Sequence, residues 1–159
     1  MKLLGICLLF LSLLGRCSPD KSVLAEPLAT DGLIIRTGTS FGMCVGYCKH
    51  DYVISGTTLM LTQTSQARTQ NQNPAKTCQT TIPQAVWDTL RAAVNPTLFI
   101  RQPEQLGCPD CADGGAEYIE VEANGQKHRV TFEHGATIPG FESLVTALRT
   151  QREAFKECK

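Results

Sequence analysis

EYIEVEANGQKHRVTFEHG, residues 117–135, restricts the fold more than any other stretch of this chain. Asn-Gly favours a two-residue turn with both residues at positive φ, and such a turn fixes the register of the strands it joins. Centred on Asn124-Gly125, the register sets Glu122 against Lys127, Glu120 against Arg129 and Tyr118 against Thr131 on one face. On the other face Val121 meets His128, Ile119 meets Val130, and Phe132 follows. One face therefore carries two opposite-charge pairs and reads as solvent-facing, while the other is apolar and must be covered. An antiparallel hairpin with one face to bury is the starting point for the rest of the chain.

Other elements follow from local patterning. Leu33 to Arg36 (LIIR) reads as a short strand, and TGTSFGMCVGYC as a glycine-punctuated turn. His50 to Ile54 and Thr58 to Thr62 alternate apolar and polar residues around Ser55-Gly56, which predicts a second hairpin. Residues 62–81 are polar and aperiodic and read as a long surface loop pinned at Cys78. Thr81 and Gln84 fit a capping box, with Pro83 in the first turn, and Val86, Trp87, Leu90 and Val94 recur at helical spacing. Asn95-Pro96 ends that helix. A second helix is predicted over 139–155, with Phe141, Leu144, Val145, Leu148 and Phe155 on its apolar face. The expected fold is α+β: an antiparallel sheet in the order β-β-β-α-β-β-α, with two helices packed against it and disulfides as staples.

The first residues bear on compartment. One lysine, an apolar run from Leu3 to Leu14 and then Arg16 have the layout of a secretory signal over 1–17, too short for a comfortable transmembrane span. Leu14-Gly15-Arg16-Cys17 looks like a bacterial lipobox, which would make Cys17 a lipidated first residue. Arg16 stands where that pattern has a small residue, and cleavage after Cys17 is the alternative, giving a periplasmic or secreted protein. Residues 18–32 are polar, contain proline and suit a flexible tether, leaving 33–159 as a single domain.

Charge is balanced, with 15 basic and 15 acidic residues, and no basic run stands out, which argues against nucleic acid as a partner. Of eight cysteines, Cys7 and Cys17 belong to the leader. Cys44, Cys48, Cys78, Cys108, Cys111 and Cys158 form an even set that, in an exported chain, reads as three disulfides. Closing a long loop restrains the unfolded chain more than closing a four-residue one, so at least one of Cys108 and Cys111 is expected to pair across the fold.

The stretch RTGTSFGMCVGY with its following hairpin resembles an uncharacterised family of small exported bacterial domains whose motif is C-F-G-x-C-P-x-Y. Phe41, Gly42, Cys44 and Tyr47 match it; Ser40 replaces the first cysteine, Val45 the proline, and Cys48 is additional. The resemblance implies an exported α+β domain and no particular activity.

Candidate chemistry is sparse. A reactive CxxC pair draws its low pKa from a helix N-terminus. Cys108-Pro-Asp-Cys111 is instead followed by ADGG and a strand, and flanked by Asp110 and Asp113. Zinc on Cys44, Cys48, Cys108 and Cys111 would leave Cys78 and Cys158 over, and calcium at Asp110, Asp113 and Glu117 lacks EF-hand spacing. His50 and Asp51 alternate across a strand, and His128 and His134 are about 20 Å apart along one. Neither pair suggests a catalytic dyad or a shared metal. There is no strand–G-x-S-x-G–helix elbow, no phosphate loop and no HExxH helix.

The expected function is therefore non-enzymatic, with no cofactor and no metal. A monomeric exported or envelope-anchored domain would bind a protein or surface ligand through the 62–81 loop and the turn carrying Asp110 and Asp113. The alternative is a protease inhibitor presenting Lys76 on that loop, and behind it a metal-binding or thiol-redox domain.

Overall fold

A computed structural model describes residues 32–65 and 73–159. The signal segment 1–17 with Cys17, and the tether up to residue 31, lie outside the described residues. The domain is α+β, built on one seven-stranded sheet in the order β4-β3-β2-β1-β6-β7-β5. The strands are β1 (Ile34–Ser40), β2 (Tyr47–Ser55), β3 (Thr58–Ser65), β4 (Lys76–Thr81), β5 (Gln105–Leu106), β6 (Ala116–Ala123) and β7 (Gln126–Glu133). Neighbours are antiparallel, except that the two-residue β5 runs parallel to β7. The helices are α1 (Gln84–Ala93), the single turn α2 (Pro96–Phe99) and α3 (Glu142–Ala154).

The β6–β7 register is the one the turn dictates, with Glu122 opposite Lys127, Glu120 opposite Arg129 and Val121 opposite His128. Asn124 (φ 53°) and Gly125 (φ 73°) are both left-handed, as a type I′ turn requires. Side chains of Ile35, Ile54, Leu59, Leu61, Ile119, Val121, Val130 and Phe132 leave one face of the sheet fully or almost fully buried. Trp87 and Leu90 of α1, Phe99 of α2, and Leu144, Val145 and Leu148 of α3 close over them in a single core.

Several boundaries differ from expectation, each for a local reason. The expected turn at Thr37–Ser40 is strand, because Thr37 and Thr39 sit on the core side and pair on both flanks with β2 and β6. The expected 62–81 loop is mostly ladder: β3 reaches Ser65, and β4 pairs with it from Lys76 opposite Gln63 to Thr81 opposite Thr58. Residues 66–72 lie outside the described residues. Lys76 thus begins an edge strand, its ammonium 5.4 Å from the Tyr47 ring centroid, rather than standing at a loop tip. No capping box forms, since Thr81 belongs to β4 and Ile82 N–H continues the sheet by donating to the Thr57 carbonyl. Pro83 is the N-cap residue, without a side-chain cap. Asn95 both follows α1 and caps α2, accepting from the Leu98 amide at 3.1 Å with Pro96 at the first helical position.

All six cysteines among the described residues are paired: Cys44–Cys48, Cys78–Cys158 and Cys108–Cys111. The expectation that Cys108 or Cys111 would bond across the fold is wrong. Each partner has its mate 5.5–5.6 Å away, Cα to Cα. Folded-state proximity selects the pairing, and loop-closure entropy acts only on pairs that the fold brings within reach. Three disulfides mark a protein of an oxidising, extracytoplasmic environment.

Candidate functional site

On the helix-facing side of the sheet, composition changes along the strands. One cross-strand row is Ile35, Ile54, Leu59 and Val121; two rows toward the other end it becomes Thr39, His50, Gln63 and Glu117. α3 matches this change. Its buried stripe Leu144, Val145 and Leu148 continues at helical spacing into Arg149 and Arg152, so guanidinium groups arrive where the sheet turns polar.

They meet Glu117. This side chain is 1% exposed and takes Arg149 Nη2 at 2.8 Å, Arg149 Nε at 3.2 Å, Arg152 Nη2, and the Gly135 amide at 2.9 Å. Burial alone would raise its pKa, but the Arg149 hydrogen bonds, the Gly135 amide and the Arg152 charge outweigh it, and the carboxyl lies below its ordinary range. Arg152 also donates from Nη1 to Thr37 Oγ1 at 2.5 Å, and Arg149 from Nη2 to the Ala136 carbonyl at 2.5 Å. Tyr52 donates its hydroxyl to the Arg152 carbonyl at 3.3 Å, and burial pushes that phenol up to about 12.

Above this cluster opens a cleft of about 530 Å³, bordered by Thr39, Phe41, His50, His134, Arg149 and Lys156. His134 lies edge-on to Phe41, ring centroids 5.0 Å apart, with Nε2 4.0 Å from Glu117. His50 Nε2 is 2.9 Å from Gln63 Nε2, and burial lowers the His50 pKa. Gln63 is occupied by the C-terminal tail, donating to the Lys156 carbonyl and accepting from the Cys158 amide.

Both short disulfide loops stand at this end of the molecule. The Phe41 amide donates to the Cys48 carbonyl, closing the 44–48 loop. Asp110 ties that loop to the CPDC turn, accepting from the amides of Gly42 and Gly115, each at 3.2 Å. Gly115 must lack a side chain, because a Cβ there would overlap the Phe41 ring. Met43 and Val45, at the tip of the first loop, are 72% and 95% exposed.

The residues singled out by sequence are thus divided. Asp110 is a structural tie between loops. Asp113 ends a short 3-10 turn, Cys111–Asp113, at positive φ. Asp110 faces amides and Glu117 faces guanidiniums, so the three carboxylates of the calcium reading do not converge. Among the described residues no group of three His, Cys, Asp or Glu side chains is placed to hold a metal ion. His128 lies at the other end of its strand, 2.9 Å from the Gln102 carbonyl, while His50 and Asp51 face opposite sides. Arg149 and Arg152 were missed by sequence reasoning, although two arginines prolonging the apolar stripe of a helix were the available signal.

Compared with protein-family models and with curated proteins, the chain matches none.

Proposed function

We propose that this is a non-enzymatic binding domain of the cell envelope, exported by its N-terminal segment and either lipid-anchored at Cys17 or released. Its ligand seats at the end of the sheet where the cleft opens between the two cysteine loops. The observation that carries this reading is the state of Glu117. Its oxygens are taken by two guanidiniums and an amide, so it holds Arg149 at the wall of the cleft as a fixed cationic group suited to recognition. The exposed Met43 and Val45 add an apolar rim on a loop that its disulfide holds in place.

Photo-crosslinking residues placed at Met43 and at Val45, with Asn124 at the opposite end as control, test the reading in native envelope material. Adducts are expected from positions 43 and 45 alone, with the captured material chemically unchanged. Adducts only from 124, or release of cleaved fragments, would overturn it. Mass spectrometry of the mature N-terminus decides anchoring: an acylated Cys17 is expected for the anchored form, an unmodified Ser18 or later residue for the released one.

A further inference from the structure

Resting on that reading of the cysteine-loop end and narrowing it, we propose that the cleft binds a small monocarboxylate of about monosaccharide size, its carboxylate seated on Arg149. Size comes first. A space of about 530 Å³ falls among small-molecule sites rather than macromolecular grooves.

Charge selects a monoanion. Arg149 and Arg152 bring two positive charges against the single negative charge of Glu117. Lys156 and Glu153, on the rim, pair with each other at 2.8 Å and cancel. One guanidinium charge is left over within this set, with His50, His134 and Tyr52 as the other titratable groups lining the cleft and Glu157 acting on His50 from beside it. A carboxylate balances that charge, whereas a phosphate dianion would exceed it.

Donor geometry selects the residue. Arg152 is almost wholly covered and spends Nη1 on Thr37, whereas the Arg149 side chain is 31% exposed. Arg149 spends Nε and Nη2 on Glu117 and Ala136, and its Nη1 makes no hydrogen bond among the described residues. The two N–H donors of Nη1 therefore remain on a rigid, fully charged fork, and an incoming carboxylate accepts through that one nitrogen. Glu117 holds that fork in place, so little is lost in ordering it on binding.

The rest of the cleft sets the remainder of the ligand. Its floor crosses β2, β1 and β6, whose backbones are already paired with their neighbours, so only side chains can recognise what lies there. Thr39 offers a hydroxyl, and Phe41 with His134 offers an apolar edge. Sugar acids and N-acylated amino acids both combine a carboxylate with such a small mixed body.

The test is calorimetric titration of the disulfide-intact full chain with glucuronate and with N-acetylalanine. Glucose, N-acetylalaninamide and inorganic phosphate serve as controls. At least one carboxylate should bind saturably at one per chain, the neutral analogues should not bind, and phosphate should bind more weakly. Which carboxylate binds identifies the source. Arg149→Gln should weaken binding tenfold or more, and Lys127→Gln, outside the cleft, should leave it unchanged. If Arg149→Gln does not fold, amide shifts of the unmodified protein decide: movement confined to Thr39, His134, Gly135 and their neighbours supports the site. Shifts elsewhere, neither carboxylate binding, equal binding of the neutral analogues, tighter phosphate, or an unaffected Arg149→Gln would overturn it. Crosslinks that persist from positions 43 and 45 after such a failure would show that only the ligand class was wrong.

Discussion

At Glu117 a carboxylate stays charged at 1% exposure because its donors replace the water it has lost. Removing one member of such a buried cluster leaves uncompensated charge, so Glu117→Gln should cost about 3 kcal/mol in a denaturant titration. The pH dependence follows from the sign of the shift. The folded-state pKa lies below the ordinary 4.5, so the stabilisation is complete above about pH 4.5 and is lost as pH falls through the lower, folded value. Unfolding midpoints between pH 3 and 6 should therefore fall at the acid end, and less steeply in Glu117→Gln. An equal acid slope in both would remove Glu117 as its source. Gly38 is the other position where one atom matters. Tyr118, its cross-strand partner, lies over it and donates its hydroxyl to Asp51 on the next strand at 2.8 Å. A Cβ at Gly38 would overlap both the His50 carbonyl and the Tyr118 ring. Gly38→Ala should cost about 1–3 kcal/mol by overpacking, with the Tyr118–Asp51 bond lost.

At the scale of elements, the β6–β7 hairpin shows what was legible and what was not. Turn chemistry and alternation are local, so Asn124-Gly125 and the cross-strand partners were readable from adjacent residues. Gly125→Val should accordingly destabilise by about 1–2 kcal/mol, because a β-branched residue resists the left-handed conformation. The state of Glu120 was not readable. As half of a cross-strand pair it looked solvent-facing, which would make Glu120→Ala nearly neutral, yet it is 5% exposed. Arg36 of β1, 84 positions away, donates to it at 3.1 Å, and Arg129 at 2.8 Å. Glu122 turns to Arg36 at 2.7 Å, while Lys127 lies 3.8 Å from Glu120 rather than beside its own cross-strand partner. Removing a covered acceptor of charged hydrogen bonds costs about 1–3 kcal/mol, so Glu120→Ala should match Gly125→Val rather than be silent. The candidate site was hidden for the same reason. Thr39, Glu117, His134 and Arg149 meet only once β1 is known to lie between β2 and β6, with the C-terminal half of α3 above them.

Across the whole molecule the three disulfides divide into two kinds of work. Cys44–Cys48 and Cys108–Cys111 span 4 and 3 positions, and each shapes a loop at the candidate site. Cys78–Cys158 spans 80 and fastens the tail after α3 to edge strand β4, opposite Leu61 in the core. On a chain-entropy account, closing that long loop stabilises the fold by about 4.5 kcal/mol, and each short loop by about 2. The edge position adds to the difference. Among the described residues β4 pairs only with β3, and the tail it is bonded to also supplies the backbone groups that satisfy Gln63. Replacing Cys78 and Cys158 together by serine should therefore lower the unfolding free energy about twice as much as replacing Cys108 and Cys111. It should also release amide protection in β4 and the tail before the rest of the sheet. Loss of the 108–111 bond should leave that protection intact and act near Asp110, at the loops bordering the cleft. Equal destabilisation by the two double replacements, or uniform loss of protection in either, would mean that the long bridge restrains no more of this chain than the short one does.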